Sequence, residues 1–154
     1  MLLPDFSIFP ELETKRLILK EIIPDHASDF FKLRSNPEVM KFLDRPMPKT
    51  IDEIHALIQL IKDRKVSGDG IAWGIFDKNL PHHKIGNIGF HNIIKEHYRA
   101  EIGYILNPLF HRKGIMFEAI NRVIDFGFRT LNLHSIEANI NPNNTASKNL
   151  LIKS

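Results

Sequence analysis

Residues 101–120, EIGYILNPLFHRKGIMFEAI, hold the groups best suited to chemistry. A run that reads as a strand stops at Asn107-Pro108. A short basic segment with one glycine follows, His111-Arg112-Lys113-Gly114, and from Ile115 the apolar residues recur at helical spacing. The first amides of a helix lack intrahelical acceptors and lie at the positive end of its dipole, an arrangement that suits a phosphate. Gly114 lets the backbone approach an anion, and Arg112 and Lys113 put charge beside it. An ordinary strand-to-helix turn carrying two solvated cations reads the same way, so this segment alone leaves both open.

Other chemistries find less support. With no cysteine, the chain has no disulfide framework, thiolate metal site or Cys nucleophile, which fits a reducing compartment. Eight histidines are present, but no HxxxH or HExxH spacing occurs; His82-His83 lies in a turn, and His91 and His97 flank a hairpin, so no metal site is expected. No GxSxG elbow is found. Trp73 reads as core. The formal charge of +3 comes from 21 Lys and Arg against 18 Asp and Glu. These cations are scattered, which argues against nucleic acid as a main partner and for a local spot that takes a small phosphorylated ligand. The N-terminus lacks a basic n-region and carries acids and prolines, unlike a signal peptide. No apolar run approaches the ~20 residues that span a bilayer. A soluble cytoplasmic protein is the expectation.

The elements that must position the loop follow from periodicity. With 154 residues, 43% of them hydrophobic, the chain has room for one domain, 1–154. Residues 16–22 alternate as a strand. After Pro24-Asp25, the residues Ala27, Phe30, Phe31 and Leu33 recur as a helix, and 37–43 read as a second. Thr50 and Glu53 form a capping box for a third helix, with Ile54, Leu57, Ile58 and Ile61 as its apolar stripe. Strands are expected at 71–77, 84–94 and 98–106, with Gly86 and Gly89 marking a bulge or a close backbone approach. The helix from Ile115 keeps its stripe through Leu131, with Asn132 as its stop. A strand at 135–140, a turn and a final helix from Thr145 complete a β-α-α-α-β-β-β-α-β-α order. This is an α/β layout with a largely antiparallel centre.

Laid end to end, residues 12–154 resemble the GNAT superfamily of N-acetyltransferases, in particular its ribosomal-protein-alanine acetyltransferase-like branch. ETKRLILKEI is similar to the branch's opening strand, SNPEVMKFL to its second-helix signature, AEIGYILNP to the strand facing the cofactor, and LHSIEANINPNNTASKNLL to its last block. HRKGIMFEAI occupies the pyrophosphate loop, where the family pattern is Gln/Arg-x-x-Gly-x-Gly/Ala. Gly114 matches strictly, while His111 and Met116 replace residues that are usually Gln/Arg and small.

The resemblance implies a GNAT fold, a mixed, mostly antiparallel sheet flanked by helices, which transfers acetyl from acetyl-CoA to a primary amine, either a protein N-terminus or a small molecule. It implies pantetheine along the backbone of Tyr104, Ile105 and Leu106. The pyrophosphate would sit on the loop of His111, Arg112, Lys113, Gly114, Ile115 and Met116, with Asn144 beside the pantetheine arm. Transfer needs an uncharged amine, a polarised thioester and a proton for the departing thiolate. Glu101, a carboxylate in an otherwise apolar strand, is the candidate base; an ion pair with Arg99 or Arg16 is its structural alternative. The superfamily's usual Tyr donor corresponds to Leu151 here. Ser147 is then the expected donor, unless local backbone satisfies it, and Tyr104 is held in reserve. A CoA-binding module without catalysis is the second expectation, on the strength of Met116 and Leu151.

In the resembled family the chain continues past Leu150-Leu151 into two further strands. Residues 145–154 hold only a short helix. The expectation is therefore a truncated form in which the strand at 135–140 has an unpaired edge, a template for a homodimer.

Overall fold

The strongest apolar stripe in the chain builds the helix that carries the loop. In a computed structural model that describes residues 1–41 and 46–138, this helix, α4 (Ile115–Arg129), buries Ile115, Met116, Ala119, Ile120, Val123, Phe126 and Gly127. It packs on one face of a sheet whose strands are β1 (Leu12–Glu13), β2 (Leu17–Glu21), β3 (Ile71–Asp77), β4 (Gly86–Ile94), β5 (Arg99–Leu106) and β6 (Ser135–Ala138). The six follow chain order across the sheet. Neighbours pair antiparallel except β5 and β6, which run parallel because α4 crosses between them.

The opposite face carries the other helices. Phe30 of α1 (Ala27–Arg34) meets Ile54 and Ile58 of α3 (Ile51–Ser67) over Ile22 and Ala72. Between them runs the single turn α2 (Pro37–Met40), capped by the Asn36 carboxamide, which accepts from the Glu38 amide at 2.9 Å. α3 starts at the expected box: the Glu53 carboxylate accepts the Thr50 amide at 3.0 Å. It ends on Gly68 at φ 77°. Trp73 is fully buried and donates its indole N–H to the Pro10 carbonyl at 2.8 Å. Among the described residues no helix is long and apolar enough to cross a membrane.

Of the two readings of the β4 glycines, the structure gives the close backbone approach. The bulge in β4 lies at neither glycine: pairing with β5 slips between Phe90 and Asn92, leaving His91 as the extra residue. Gly86 and Gly89 are the close-approach sites, where a Cβ would lie 2.5 Å and 2.3 Å from the carbonyls of Ile105 and Ile71. β1, with two residues, was too short for periodicity to reveal. The end of the second helix, the strand beyond Ala138 and the final helix lie outside the described residues.

Lys84 is the other surprise: its side chain is buried under α1, with Nζ 3.9 Å from the Phe30 ring centroid and 3.2 Å from Oδ1 of Asn87. Burial, and next the Arg34 charge, push its pKa down to about 7, against a smaller pull from Asp29. The unfolded chain keeps this proton to about pH 10.5, so between those values it binds more protons and stability rises with pH. Lys84→Met should flatten that rise, by up to about 1.4 kcal/mol per pH unit. Urea melts of both proteins at pH 6.5 through 9.5 read the difference; parallel curves would contradict it.

Candidate functional site

The exit from β5 is a chain of local hydrogen bonds. The Asn107 amide donates to the Ile85 carbonyl at 2.8 Å, and its side-chain oxygen accepts from the Leu109 amide at 3.0 Å. That fixes a short 3-10 turn, Pro108–Phe110. The His111 ring then folds back: with its proton on Nε2, it donates to the Leu106 carbonyl at 3.1 Å. Loop and strand end are thereby locked together.

Beyond it the backbone takes two left-handed steps, at Arg112 (φ 63°) and Gly114 (φ 74°), the second being the N-cap of α4. For Arg112 this costs about 1–2 kcal/mol; Gly114 adopts it freely. Space is not the reason for the glycine, since an added Cβ would meet only the Arg16 guanidinium at 3.5 Å. Side chains 111–113 are exposed, whereas Ile115 and Met116 are buried in the core. The bulk of Met116 therefore points away from the loop, leaving only its amide there. The first helical hydrogen bond of α4 runs from the Glu118 amide to the Gly114 carbonyl at 3.0 Å. The amides of Ile115, Met116 and Phe117 precede it and have no acceptor within the helix, an arrangement that fits an anionic phosphate.

A staple absent from the sequence reading holds this loop. The Glu118 carboxylate accepts from the Thr14 hydroxyl, from the Arg16 amide at 3.0 Å and from Arg16 Nε at 2.8 Å. Arg16 also donates through Nη1 to the Lys113 carbonyl at 2.8 Å. A carboxylate in the first turn would repel a bound phosphate; the guanidinium beside it cancels that charge. Only tertiary structure joins residues so distant in sequence.

The second half of the site is β5 itself. Its pairing with β6 covers Arg99 to Ile102, against Ser135 to Ala138. Gly103, Tyr104, Ile105 and Leu106 pair on the other side with β4. Alternation sends Tyr104 and Leu106 toward α4, while Glu101, Gly103 and Ile105 face the α1–α3 side. Glu101 is half-buried. Both cations suggested as its ion-pair partners are engaged elsewhere: Arg99 with Glu137 at 3.6 Å, Arg16 with Glu118. His91, which the sequence reading weighed only as a metal ligand, has its ring over Gly103, two residues from Glu101 on the same strand face. The bulge aims it there, and no sequence motif announces a bulge. Asn144, Ser147 and Leu151 lie outside the described residues. Among the described residues no three His, Asp or Glu side chains cluster to hold a metal.

The family model described as an acetyltransferase (GNAT) domain matches residues 16–154. An uncharacterised N-acetyltransferase, YoaA of Bacillus subtilis, is 38% identical over 146 residues, covering 95% of this chain and 82% of the relative. The ribosomal protein uS5-alanine N-acetyltransferase of Escherichia coli is 29% identical over 152 residues, covering 92% and 75%. Among solved structures, spermidine N-acetyltransferase of Vibrio cholerae, in complex with CoA and spermine, superposes with a TM-score of 0.78 at 23% identity, over 91% of this chain and 80% of that one.

The staple makes a measurable statement about stability. Burial raises the pKa of Glu118, but the bonds from Thr14 and Arg16 outweigh it and hold the carboxyl below its ordinary 4.5. A carboxylate with a depressed pKa stabilises the fold above its unfolded value and loses that contribution as pH falls through the folded one. Glu118→Gln should cost about 2 kcal/mol at pH 7. In urea melts the gap to wild type should hold from pH 7 to 5 and close in more acid solution; a gap that persists unchanged at pH 3 would mean the charge is irrelevant.

Proposed function

The chain belongs to the GNAT family of acetyl-CoA-dependent N-acetyltransferases, and from that premise we propose that it acetylates a primary amine by direct attack in a ternary complex, with the thioester lying along β5 at Gly103. The observation that carries this reading is the pair of left-handed residues, Arg112 and Gly114, that opens the start of α4 beside the end of β5. The loop from His111 to Met116 would hold the pyrophosphate through its amides, Arg112 and Lys113 adding charge at the rim. Pantetheine would run along the edge of Tyr104, Ile105 and Leu106, as an extra strand does, with Asn144 beside it.

The two faces of β5 divide the acid–base work. The amine would come in on the face of Glu101, whose carboxylate attracts an ammonium and can accept its proton. The thiolate would depart toward the other face, where Tyr104 lies, with Ser147 as the first candidate to protonate it. Backbone amides near Gly103 would polarise the thioester carbonyl.

The acceptor is a protein N-terminus or a small amine. The Escherichia coli relative acts on a ribosomal-protein alanine and the Vibrio cholerae structure holds a polyamine, which supports testing both classes. A thiol-release assay with acetyl-CoA against peptide N-termini and polyamines decides between them. Turnover with either identifies the class, and tight acetyl-CoA binding without any turnover would favour a binding module.

Gly114→Val tests the loop directly. A β-branched residue is strained at φ 74°, so the turn should rearrange and pull the amides off the phosphate. Acetyl-CoA binding by calorimetry should weaken at least tenfold, about 1.4 kcal/mol. Unchanged affinity in a folded variant would rule the loop out as the phosphate site. Glu101→Gln should lower kcat by about 100-fold or more with little change in melting temperature.

A further inference from the structure

The bulge in β4 is held deliberately. The His91 carbonyl accepts from Arg64 Nη2 of α3 at 2.8 Å, and the same nitrogen donates to the Asp69 carbonyl at 3.0 Å. The Asp69 carbonyl also takes the Ile93 amide at 2.9 Å, which ties the strand back down after the kink. A bulge leaves one residue out of the ladder and re-aims its side chain.

That side chain lies across β5. A Cβ on Gly103 would sit 2.4 Å from Cδ2 and 2.6 Å from Nε2 of the His91 ring, so only glycine at 103 leaves the imidazole where it is. The Cβ direction of Gly103 is that of Glu101, two residues back on the same face and about 7 Å along the strand. His91 is exposed, hence within reach of an incoming amine. Among the described residues, the charged groups on the flanking elements are Glu101 and Arg99 on β5, Glu137 beside Glu101 on β6, Arg64 on α3, which donates to the His91 carbonyl, and Asp69 in the turn that follows α3.

We infer that His91, in place of Glu101, is the general base for the acceptor: the imidazole takes the ammonium proton, and Glu101 draws the ammonium in and stabilises the imidazolium that forms. This rests on the thioester lying at Gly103, as proposed above. The proton passes from the ammonium to the ring. The freed nitrogen lone pair forms the N–C bond to the acetyl carbonyl carbon, the C–S bond breaks and sulfur leaves with the electron pair. The nitrogen sheds its second proton as the amide forms, and the thiolate takes up one proton to become the CoA thiol. The ring then returns its proton to solvent. An unperturbed imidazole ionises near pH ~6.5 and an unperturbed Glu near ~4.3, so the imidazole is the stronger base for an ammonium at neutral pH.

The experiment compares His91→Gln, Glu101→Gln and wild type in the thiol-release assay across pH, with acetyl-CoA affinity measured in parallel. His91→Gln should lose about 100-fold or more in kcat, keep acetyl-CoA affinity within about twofold, and lose the acid limb of kcat/KM. Glu101→Gln should keep that limb but move it to lower pH, because the imidazolium has lost its anion. An acid limb and kcat that survive in His91→Gln overturn the assignment. A second readout needs no acceptor: the ring Cε1–H resonance of His91, identified by its loss in His91→Gln, should shift when acetyl-CoA is added. If no amine is turned over, the acceptor reading fails while a shifted resonance still supports His91 at the thioester; a resonance that does not move overturns His91 whatever the turnover.

Discussion

Arg112 and Gly114 both stand at positive φ, 63° and 74°, and a loop in that conformation does not stay folded on its own. The arginine alone gives up about 1–2 kcal/mol to be there. Against this stand the bonds that Glu118 accepts from Thr14 and Arg16, the bond from Arg16 to the Lys113 carbonyl, and the His111 ring on the Leu106 carbonyl. Hydrogen bonds to charged groups contribute roughly 1.5–3 kcal/mol each, so the staple outweighs the strain. The loop is thus preorganised, and its amides need no rearrangement to meet an anion.

The same device ties the site to the sheet. Thr14 and Arg16 belong to the turn between β1 and β2, whose Leu17 and Leu19 are fully buried beneath α4. A rigid core therefore fixes the turn, the turn fixes Glu118, and Glu118 fixes the start of α4. On the far side of the sheet Arg64 of α3 performs the corresponding task for the β4 bulge. The loop and the β4 bulge are each held by one arginine reaching for backbone carbonyls, which a planar guanidinium with five donors does well.

Much of this was legible in the sequence where the signal is local. The stripe from Ile115 to Phe126, the box at Thr50 and Glu53, the pair Asn107-Pro108 and the single Gly114 each act through neighbours a few positions away, and each element came out where its pattern put it. The invisible parts join distant residues. Arg16 meets Glu118 across 102 positions, and nothing near either residue advertises the other. Gly86 and Gly89 signalled the close backbone approach that they admit, but the bulge falls at His91 and is set by Arg64, far away in sequence. Lys84 read as an ordinary strand residue because burial is a property of packing, not of its type.

Recognition by backbone, as proposed for this loop, would also account for the two departures from the loop pattern. When amides hold a phosphate, the side chains of the loop are free for other uses, provided they leave those amides uncovered. Met116 satisfies that condition by burying its thioether in the core below, where an unbranched side chain fills an irregular space easily. His111 satisfies it by turning its ring onto Leu106, the last residue of β5, and so closes the loop from the strand side. What must stay fixed is the left-handed step at 114 and the charge balance at Glu118. Both are conditions on shape and electrostatics rather than on a string of letters. A loop that matches its family at one glycine can therefore still present the unpaired amides at the start of its helix.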